Sequence, residues 1–351
     1  MSSEMCLDIL KQSSCFEIKN IKVNYSHTLD DVEKISFKKI TGYIIVVCKI
    51  IFYSIAFKPD LVYMMPATAG FAFIRDFSFS LLLKFLNRNI VFHLRTQLTE
   101  KDKKSAVKRY IFKIVFNNSG LIVLGKELEK DILAYLKNGE IFILPNAIPK
   151  TLRCKDYVLI EADRQSSKKL RLVFISNMFK SKGWPKTIEA AKILNMMDLD
   201  FSLTFAGSWP SDIVEKEFFN LIKKYNLENR IEYLGYVNKE KKNNLLANSD
   251  ILIFPTEYKY EALPRVIIEA YEYGIPVIST RNGSIPSIIS HNKTGFLVSS
   301  DIPGEIADHV ISLSRKKYLV DIGREARKTF LSKYQLSVYR KGFLDIIQKV
   351  I

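Results

Sequence analysis

Cysteine and histidine are scarce in this chain, with four of each among 351 residues. The cysteines are Cys6, Cys15, Cys48 and Cys154. They form no CxxC pair and have no histidine at ligand spacing, so neither a zinc site nor a disulfide framework is predicted. The first residues, MSSEMCLDIL, lack the basic and then apolar run of an export signal. These absences favour a reducing, cytoplasmic setting.

A long uncharged hydrophobic run is also lacking. The most apolar stretch, residues 40–57, is interrupted by Gly42 and Lys49. It falls short of the roughly 20 apolar residues that a membrane span requires. We therefore expect a buried or interfacial helix here and no membrane span.

Carboxylates are too few to balance the cations, since 37 Asp and Glu stand against 53 Lys and Arg, a net charge of +16. Such an excess favours an anionic partner: a phospholipid surface, a nucleic acid or a phosphorylated substrate. Nine of the cations lie in residues 84–113, with Glu100 and Asp102 as the acidic residues there. No zinc-finger spacing or RNA-binding aromatic motif accompanies them, so nucleic acid is not the expected partner.

The basic segment contains an amphipathic helix pattern. Its apolar positions follow helical spacing at Val107, Tyr110, Ile111, Ile114 and Val115. The lysine and arginine residues of this segment fall on the other sides of the helix. Two interpretations stay open: a helix that packs this face on the core, or one that docks on an anionic membrane surface.

Short apolar runs alternate with helix-length amphipathic segments along the chain, a pattern typical of parallel sheets covered by helices. The strand candidates of the first half are EIKNIKV, DLVYMM, NIVFHL, GLIVLG and EIFILP. Those of the second half are RLVFIS, FSLTFAG, RIEYLGY, ILIFPT, PVIST and GFLV. Residues 150–168 lose the periodicity and are predicted to be a linker between two domains. Beyond Arg315 the pattern predicts helix only.

The segment ILIFPTEYKYEALPRVIIEAYEYGIPVIST carries the most chemistry and reads as strand, loop, helix and strand. Glu261 lies in the loop, Pro264 suits the first helical position, and Glu269 follows inside the helix. Both carboxylates can then line the carboxyl edge of a parallel sheet. The N–H groups of residues 263–266 suit a phosphate, and a carboxylate suits a sugar hydroxyl. The pattern predicts a sugar-nucleotide site.

EALPRVIIE resembles the E-x7-E motif of glycosyltransferase family 4, a large family of retaining GT-B enzymes. ISNMFKSKGWPKTIEA is similar to the phosphate-binding loop of that family, with Lys182 before Gly183, although Asn177 stands where the family usually has arginine. Further glycines follow the family pattern nearly in register: Gly207, Gly235, Gly283 and Gly295. The resemblance is distinctive in residues 171–298.

The resemblance implies a role for each matching residue. Lys182 and Ser284 would hold the donor phosphates, Glu269 the ribose, and Glu261 the hydroxyls of the transferred sugar. Backbone near Gly235 would hold the base, and His93 would act beside Glu261 at the catalytic centre by orienting acceptor or sugar. The other expected donor-binding residues are Gly183, Asn177, Leu263, Pro264, Arg265 and Gly283.

The resemblance also implies the architecture: an α/β chain of GT-B type, with two Rossmann-like domains whose mainly parallel sheets face each other across a cleft. We expect an acceptor-side domain in residues 1–160, a nucleotide-sugar domain in 161–335, and a C-terminal helix in 336–351 packing back on the first. One departure stands out. The family usually opens with a strand and a glycine pair, and no such strand precedes Leu7.

The expected function is retaining transfer of a sugar from a nucleotide-sugar to a glycan or lipid-linked acceptor, in bacterial surface polysaccharide synthesis. No obligatory metal or other cofactor is implied. The basic helix would associate peripherally with an anionic membrane, at the cytoplasmic face. Two alternatives stay open: a sugar-nucleotide epimerase of the same fold, and a catalytically silent partner subunit that binds a nucleotide sugar.

Overall fold

A computed structural model describes residues 3–23, 37–68, 70–299 and 303–351. The chain divides into two compact units, one of residues 1–144 with 340–351 and one of residues 145–339. The division thus falls at Leu144 and Pro145, whereas the sequence placed it at residue 160. Residues from Arg340 onward group with the first unit.

The first unit contains one parallel sheet of four strands in the order β1-β2-β3-β4. Its strands are β1 (Val62–Met64), β2 (Ile90–His93), β3 (Gly120–Val123) and β4 (Ile141–Ile143). Its helices are α1 (Ser3–Gln12), α2 (Phe37–Ala56), α3 (Gly70–Phe85), α4 (Glu100–Lys104), α5 (Ala106–Phe116) and α6 (Lys126–Leu133). Strands β2 and β3 are buried at every position, as expected for central strands covered on both faces.

One strand prediction for the first unit is wrong, and the predicted apolar face of α5 is buried only in part. EIKNIKV is irregular at residues 17–23, where Ile18 and Ile21 stay half-exposed and pair with no strand in the part of the chain described. On α5, Val107 and Tyr110 are exposed, while Phe112 and its neighbours one turn on are buried. Of the predicted apolar face only Val115 is buried. Core packing therefore holds for part of that face, because the large rings of Phe112 and Phe116 gain more from burial than valine does, and docking of the exposed part stays open.

The second unit has a six-stranded parallel sheet in the order β10-β9-β8-β5-β6-β7. The strands are β5 (Leu170–Ile175), β6 (Phe201–Ala206), β7 (Ile231–Tyr233), β8 (Ile251–Phe254), β9 (Val277–Thr280) and β10 (Gly295–Val298). From β5 the chain builds outward through β6 to β7, then returns to place β8 on the other side of β5. The order therefore reverses between β5 and β8, where ligands of open α/β sheets usually bind.

The helices of the second unit cover this sheet. They are α7 (Cys154–Ser166), α8 (Trp184–Met196), α9 (Asp212–Lys224), α10 (Lys239–Ala247), α11 (Arg265–Glu272), α12 (Ile285–Ile288), α13 (Pro303–Leu313) and α14 (Lys316–Thr329). The last helix, α15 (Leu336–Val350), begins in this unit and belongs to the first unit from Arg340 onward. A 3₁₀ turn (Lys180–Lys182) precedes α8, and a π-helical turn (Phe330–Tyr334) precedes α15. The prediction that the chain is helical beyond Arg315 is confirmed.

The predicted linker is wrong for most of its length, because α7 occupies it and is anchored by a buried charge. Arg164 donates to the carbonyl oxygens of Gly274 at 2.9 Å and Ser249 at 2.8 Å. Its guanidinium also lies 3.5 Å from the buried Asp250 carboxylate. The polar composition that suggested a linker reflects the exposure of most of α7, in which Arg164 is the buried residue.

Candidate functional site

An ion pair joins the two sides of the switch point. Lys182 ends the 3₁₀ turn that follows β5, and Glu261 lies in the loop that follows β8. The Lys182 Nζ donates to Glu261 Oε2 at 2.6 Å, and the two side chains are only 15% and 12% exposed. The sequence-predicted phosphate cation and sugar carboxylate therefore meet at the carboxyl edge of the sheet.

The backbone around Lys182 is fixed by close approach. Gly183 adopts φ +95°, and a Cβ there would lie 2.2 Å from the carbonyl oxygen of Pro255. Glycine is therefore required for the turn to pass against the end of β8. The Lys182 ammonium lies 4.2 Å from the centre of the Tyr258 ring. The ring face adds a second attraction for the cation and leaves Lys182 partly exposed.

Helix α11 begins beside Glu261. Its first residue is Arg265, which is exposed, and Pro264 precedes it at φ −69°, ψ 123°, one position earlier than predicted. No side chain caps the first-turn N–H groups, so they present partial positive charge at the loop. Leu263 is buried and its carbonyl oxygen accepts from Asn146 Nδ2 at 2.9 Å. This bond ties the loop to the start of the second unit.

The loop after β9 packs against the same segment. Gly283 has φ +55°, and a Cβ there would lie 2.2 Å from the carbonyl oxygen of Glu261. The N–H of Ser284 donates to the carbonyl oxygen of Ala262 at 2.6 Å. The Ser284 hydroxyl is fully buried and has no hydrogen-bond partner among the residues described. A buried hydroxyl with unused hydrogen-bonding capacity is costly unless a ligand uses it.

Glu269 lies one turn inside α11 and is held by a residue that the sequence did not single out. Lys242 of α10 donates to Glu269 Oε1 at 2.8 Å, with the two side chains 25% and 16% exposed. Each predicted carboxylate of the site is thus paired with its own lysine. No sequence spacing relates Lys242 to Glu269, so only the fold could find it.

Two further predicted residues follow strands β5 and β7, which lie on either side of β6. Asn177 follows β5 and is exposed, and its carbonyl oxygen accepts from the Phe179 N–H at 2.9 Å. Gly235 follows β7 with φ +69° and accepts from the Gly207 N–H at 2.8 Å. Open space surrounds the position of a Cβ at Gly235, so conformation rather than crowding favours glycine there.

His93 belongs to the first unit, at the end of β2. The ring is fully buried, its Nδ1 is 2.7 Å from the Tyr63 hydroxyl, and its Nε2 has no hydrogen-bond partner within the described ranges. Burial, with a smaller contribution from Arg95, lowers the pKa of His93 to about 3. His93 is therefore neutral near pH 7, and Tyr63, which no motif indicated, contacts one of its nitrogens.

Metal ligands do not gather in the described residues: no group of three or more His, Cys, Asp or Glu side chains could hold an ion there. The cation that pairs with Glu261 is Lys182. Across the described ranges, no helix combines the length and the apolar character needed to cross a bilayer.

Comparisons with known proteins show which family and which fold this chain is similar to. The family model described as glycosyl transferases group 1 matches residues 159–329. N-acetyl-alpha-D-glucosaminyl L-malate synthase of Bacillus anthracis is 30% identical over 200 residues, 55% of this chain and 49% of that protein. Amylovoran biosynthesis glycosyltransferase AmsK of Erwinia amylovora is 24% identical over 186 residues, 52% of this chain and 45% of that protein. The chain spans about half the length of these curated relatives.

The fold is shared more widely than the sequence. A crystal structure of Anabaena Alr3699/HepE in complex with UDP superimposes with a TM-score of 0.70 at 18% identity. The match covers 88% of this chain and 84% of that one. The predicted α/β fold of GT-B type, with parallel sheets in two Rossmann-like units, is confirmed.

Proposed function

We propose that this chain, whose residues 159–329 match the model of the group 1 glycosyl transferases, transfers a sugar from a nucleotide-sugar donor to a glycan or lipid-linked acceptor. The observation that carries this proposal is the Lys182–Glu261 pair at the switch point of the second sheet. The names of its relatives support a place in bacterial surface polysaccharide synthesis, and the UDP complex of a structural neighbour supports a nucleoside diphosphate ligand.

In this proposal the bond between the anomeric carbon and the donor phosphate breaks, and its electron pair leaves with the nucleoside diphosphate. The acceptor hydroxyl oxygen bonds to that carbon, and its proton passes to an oxygen of the departing diphosphate. Lys182, the Ser284 hydroxyl and the start of α11 offset the charge that grows on the departing diphosphate. Glu261 accepts hydrogen bonds from the hydroxyls of the transferred sugar, and Glu269 accepts them from the ribose.

We extend the proposal to stereochemistry and to His93. Transfer proceeds with retention at the anomeric carbon, as the resemblance to glycosyltransferase family 4 implies. It needs no obligatory metal, because Lys182 and backbone N–H groups offset the negative charge of the departing diphosphate. Neutral His93 orients acceptor or sugar through a hydrogen bond and carries no positive charge, as its lowered pKa requires.

The proposed location is the cytoplasmic side of an anionic membrane, with which the chain associates peripherally. The support is the excess of cations around α5, where Arg109 and Lys113 are exposed beside Val107 and Tyr110. A helix with this mixture of residues suits the interface of an anionic bilayer.

Turnover of donor tests the proposal. We would incubate the chain with a panel of nucleotide sugars and acceptor fractions, and follow transfer and released nucleoside diphosphate by mass spectrometry. Glu261→Gln should lower turnover on the order of 100-fold, the scale of one lost transition-state contact. The matched control is Glu257→Gln, a residue of the same loop that pairs with Lys186 at 2.8 Å and should keep full turnover.

Three results would contradict the proposal. Equal turnover in wild type and Glu261→Gln would remove Glu261 from the site. Epimerised nucleotide sugar without transfer would identify an epimerase of the same fold. Nucleotide binding without turnover of any donor would identify a silent partner subunit.

A further inference from the structure

Helix α2 leaves a continuous apolar stripe uncovered. Val46 and Ile50 are buried on one side. The other side exposes Ile40, Ile44, Ile45, Ile51, Phe52 and Ile55. Phe52 and Ile55 are 62% and 61% exposed, far more than the scattered exposure of single apolar residues explains. The spacing of three, four and seven residues places them along one side of the helix.

Helix α3 repeats the arrangement. Phe73, Phe79 and Leu83 are buried, whereas the opposite side exposes Phe71, Ile74, Leu81 and Phe85. Phe85 is 82% exposed. Ile74, Leu81 and Phe85 follow Phe71 by three, ten and fourteen residues. These separations are close to whole helical turns, so the four side chains too form one stripe.

The two stripes and the exposed part of α5 belong to adjoining helices. The Tyr43 ring of α2 stacks on Phe79 of α3 with centroids 5.3 Å apart, and its hydroxyl lies 2.9 Å from Ser78 Oγ. Helix α3 contacts α5 through Phe73 and Phe112, whose centroids are 5.5 Å apart. Because Ser78 lies in the α3 stripe, that stripe borders α2. We call the exposed apolar residues of α2, α3 and α5 the apolar face.

Charge on the apolar face has one sign. Within the ranges of α2, α3 and α5 the sequence has one carboxylate, Asp76, which is buried and accepts from the Ala67 N–H at 2.9 Å. Among the residues of these helices whose burial is described, the exposed cations are Lys49, Arg109 and Lys113. Two copies of the chain meeting symmetrically through this face would bring like charges together. An anionic lipid surface instead offers acyl chains to the apolar residues and negatively charged headgroups to the cations.

We propose that the apolar face of α2, α3 and α5 lies flat in the headgroup region of an anionic bilayer. This inference rests on the proposed function only for the idea of a membrane, and it names the surface and the chemistry that meet there. The aliphatic and aromatic side chains enter the acyl boundary, and Arg109 and Lys113 contact lipid phosphates. Helix α2 lies in the plane of the interface and does not cross it.

Vesicle cosedimentation tests this surface on the full chain. The wild type should bind vesicles of phosphatidylcholine mixed with phosphatidylglycerol, and bind phosphatidylcholine alone weakly. The double variant Arg109→Gln, Lys113→Gln should lower partitioning into the anionic vesicles on the order of 30-fold. We would also test one double variant of each stripe: Ile44→Ser with Phe52→Ser on α2, and Phe71→Ser with Phe85→Ser on α3. Each double variant should lower partitioning into the anionic vesicles by about tenfold or more.

The matched control replaces equally exposed apolar residues outside the face. Val158 and Leu159 of α7 are 63% and 69% exposed, and serine at both should leave vesicle binding unchanged. All sites are on the surface, so the variants should keep the wild-type circular dichroism spectrum. Calorimetric titration with UDP on the same samples separates this inference from the proposed function, because the apolar face belongs to the first unit and the Lys182 site to the second.

Absence of binding to the anionic vesicles would overturn the inference, as would equal binding by wild type and face variants. A dimer seen by light scattering that these same variants dissociate would overturn it too, because the face would then serve a second copy of the chain.

Discussion

At the scale of single residues, the candidate site is organised by two lysine–carboxylate pairs. Lys182 pairs with Glu261 at 2.6 Å and Lys242 with Glu269 at 2.8 Å. A diphosphate would compete with Glu261 for the Lys182 ammonium. Once Lys182 is taken by phosphate, the Glu261 carboxylate becomes available to accept from sugar hydroxyls. One ligand thus sets the state of both residues.

This competition predicts that Glu261→Gln binds UDP more tightly than the wild type does. A neutral amide holds Lys182 less strongly, so affinity should rise about threefold, the scale of a partly exposed ion pair. Isothermal titration calorimetry would measure it, with Glu257→Gln as the variant expected to keep wild-type affinity. A large loss of UDP affinity in Glu261→Gln would mean that Glu261 contacts the nucleotide instead of competing with it.

His93 gives a pH prediction. Its pKa is about 3 in the folded chain because the ring is buried, against about 6.5 when unfolded. Between these values the unfolded state binds more protons, so stability is lost as the pH falls from 6.5 toward 3. From pH 7 to pH 5, His93 should contribute a loss of about 2 kcal/mol in the free energy of unfolding.

Denaturant titrations at both pH values would check this contribution. His93→Gln removes the titrating group, so its loss of stability over the same pH interval should be smaller by that amount. Equal pH dependence in wild type and His93→Gln would show that His93 titrates normally.

At the scale of elements, the loop after β9 is shaped by Gly283. A Cβ at this position would meet the carbonyl oxygens of Glu261 at 2.2 Å and Ala262 at 2.7 Å, in a backbone with φ +55°. Gly235 shares the positive φ, +69°, but has open space around it. The two glycines therefore separate conformational strain from crowding.

Gly283→Ala should destabilise the second unit by about 3 kcal/mol or more, while Gly235→Ala should cost about 1 kcal/mol, the penalty of the left-handed conformation alone. Chemical denaturation of the two variants gives both numbers. Equal losses would mean that the Gly283 loop can shift away from Glu261 without cost.

Most strands could be predicted from the sequence, whereas some helix faces and side-chain partners could not. Ten of the eleven strand candidates are present, because buried parallel strands are continuous apolar runs that few other structures imitate. The EIKNIKV run failed because pairing with a neighbour, which local pattern cannot supply, decides a strand. The predicted apolar face of α5 is buried only at Val115, because Phe112 and Phe116 occupy the core that Val107 would otherwise enter. The partner of Glu269 could not be predicted from the sequence, because Lys242 belongs to another helix, α10.

At the scale of the whole molecule, chemistry is divided between the two units. The switch-point site, with Lys182 and Glu261, lies within the second unit, and the family match covers much of that unit. The first unit holds the buried His93 and the apolar face. The motif could be found from sequence because its residues are close along the chain. The apolar face could be predicted only in part: the sequence indicates an interfacial helix in residues 40–57 and an amphipathic α5, but not which side of each helix the fold buries.

The central claim is that Lys182 binds the diphosphate of a nucleotide sugar, and calorimetric titration of the intact chain with UDP and with GDP tests it most directly. The matched control is Lys186→Ala, a neighbouring lysine paired with Glu257. We predict that one of the two nucleotides binds, that Lys182→Ala weakens it roughly 30-fold through loss of a charged hydrogen bond, and that Lys186→Ala does not. Binding of neither nucleotide to the wild type, or equal affinity in Lys182→Ala and wild type, would contradict the account.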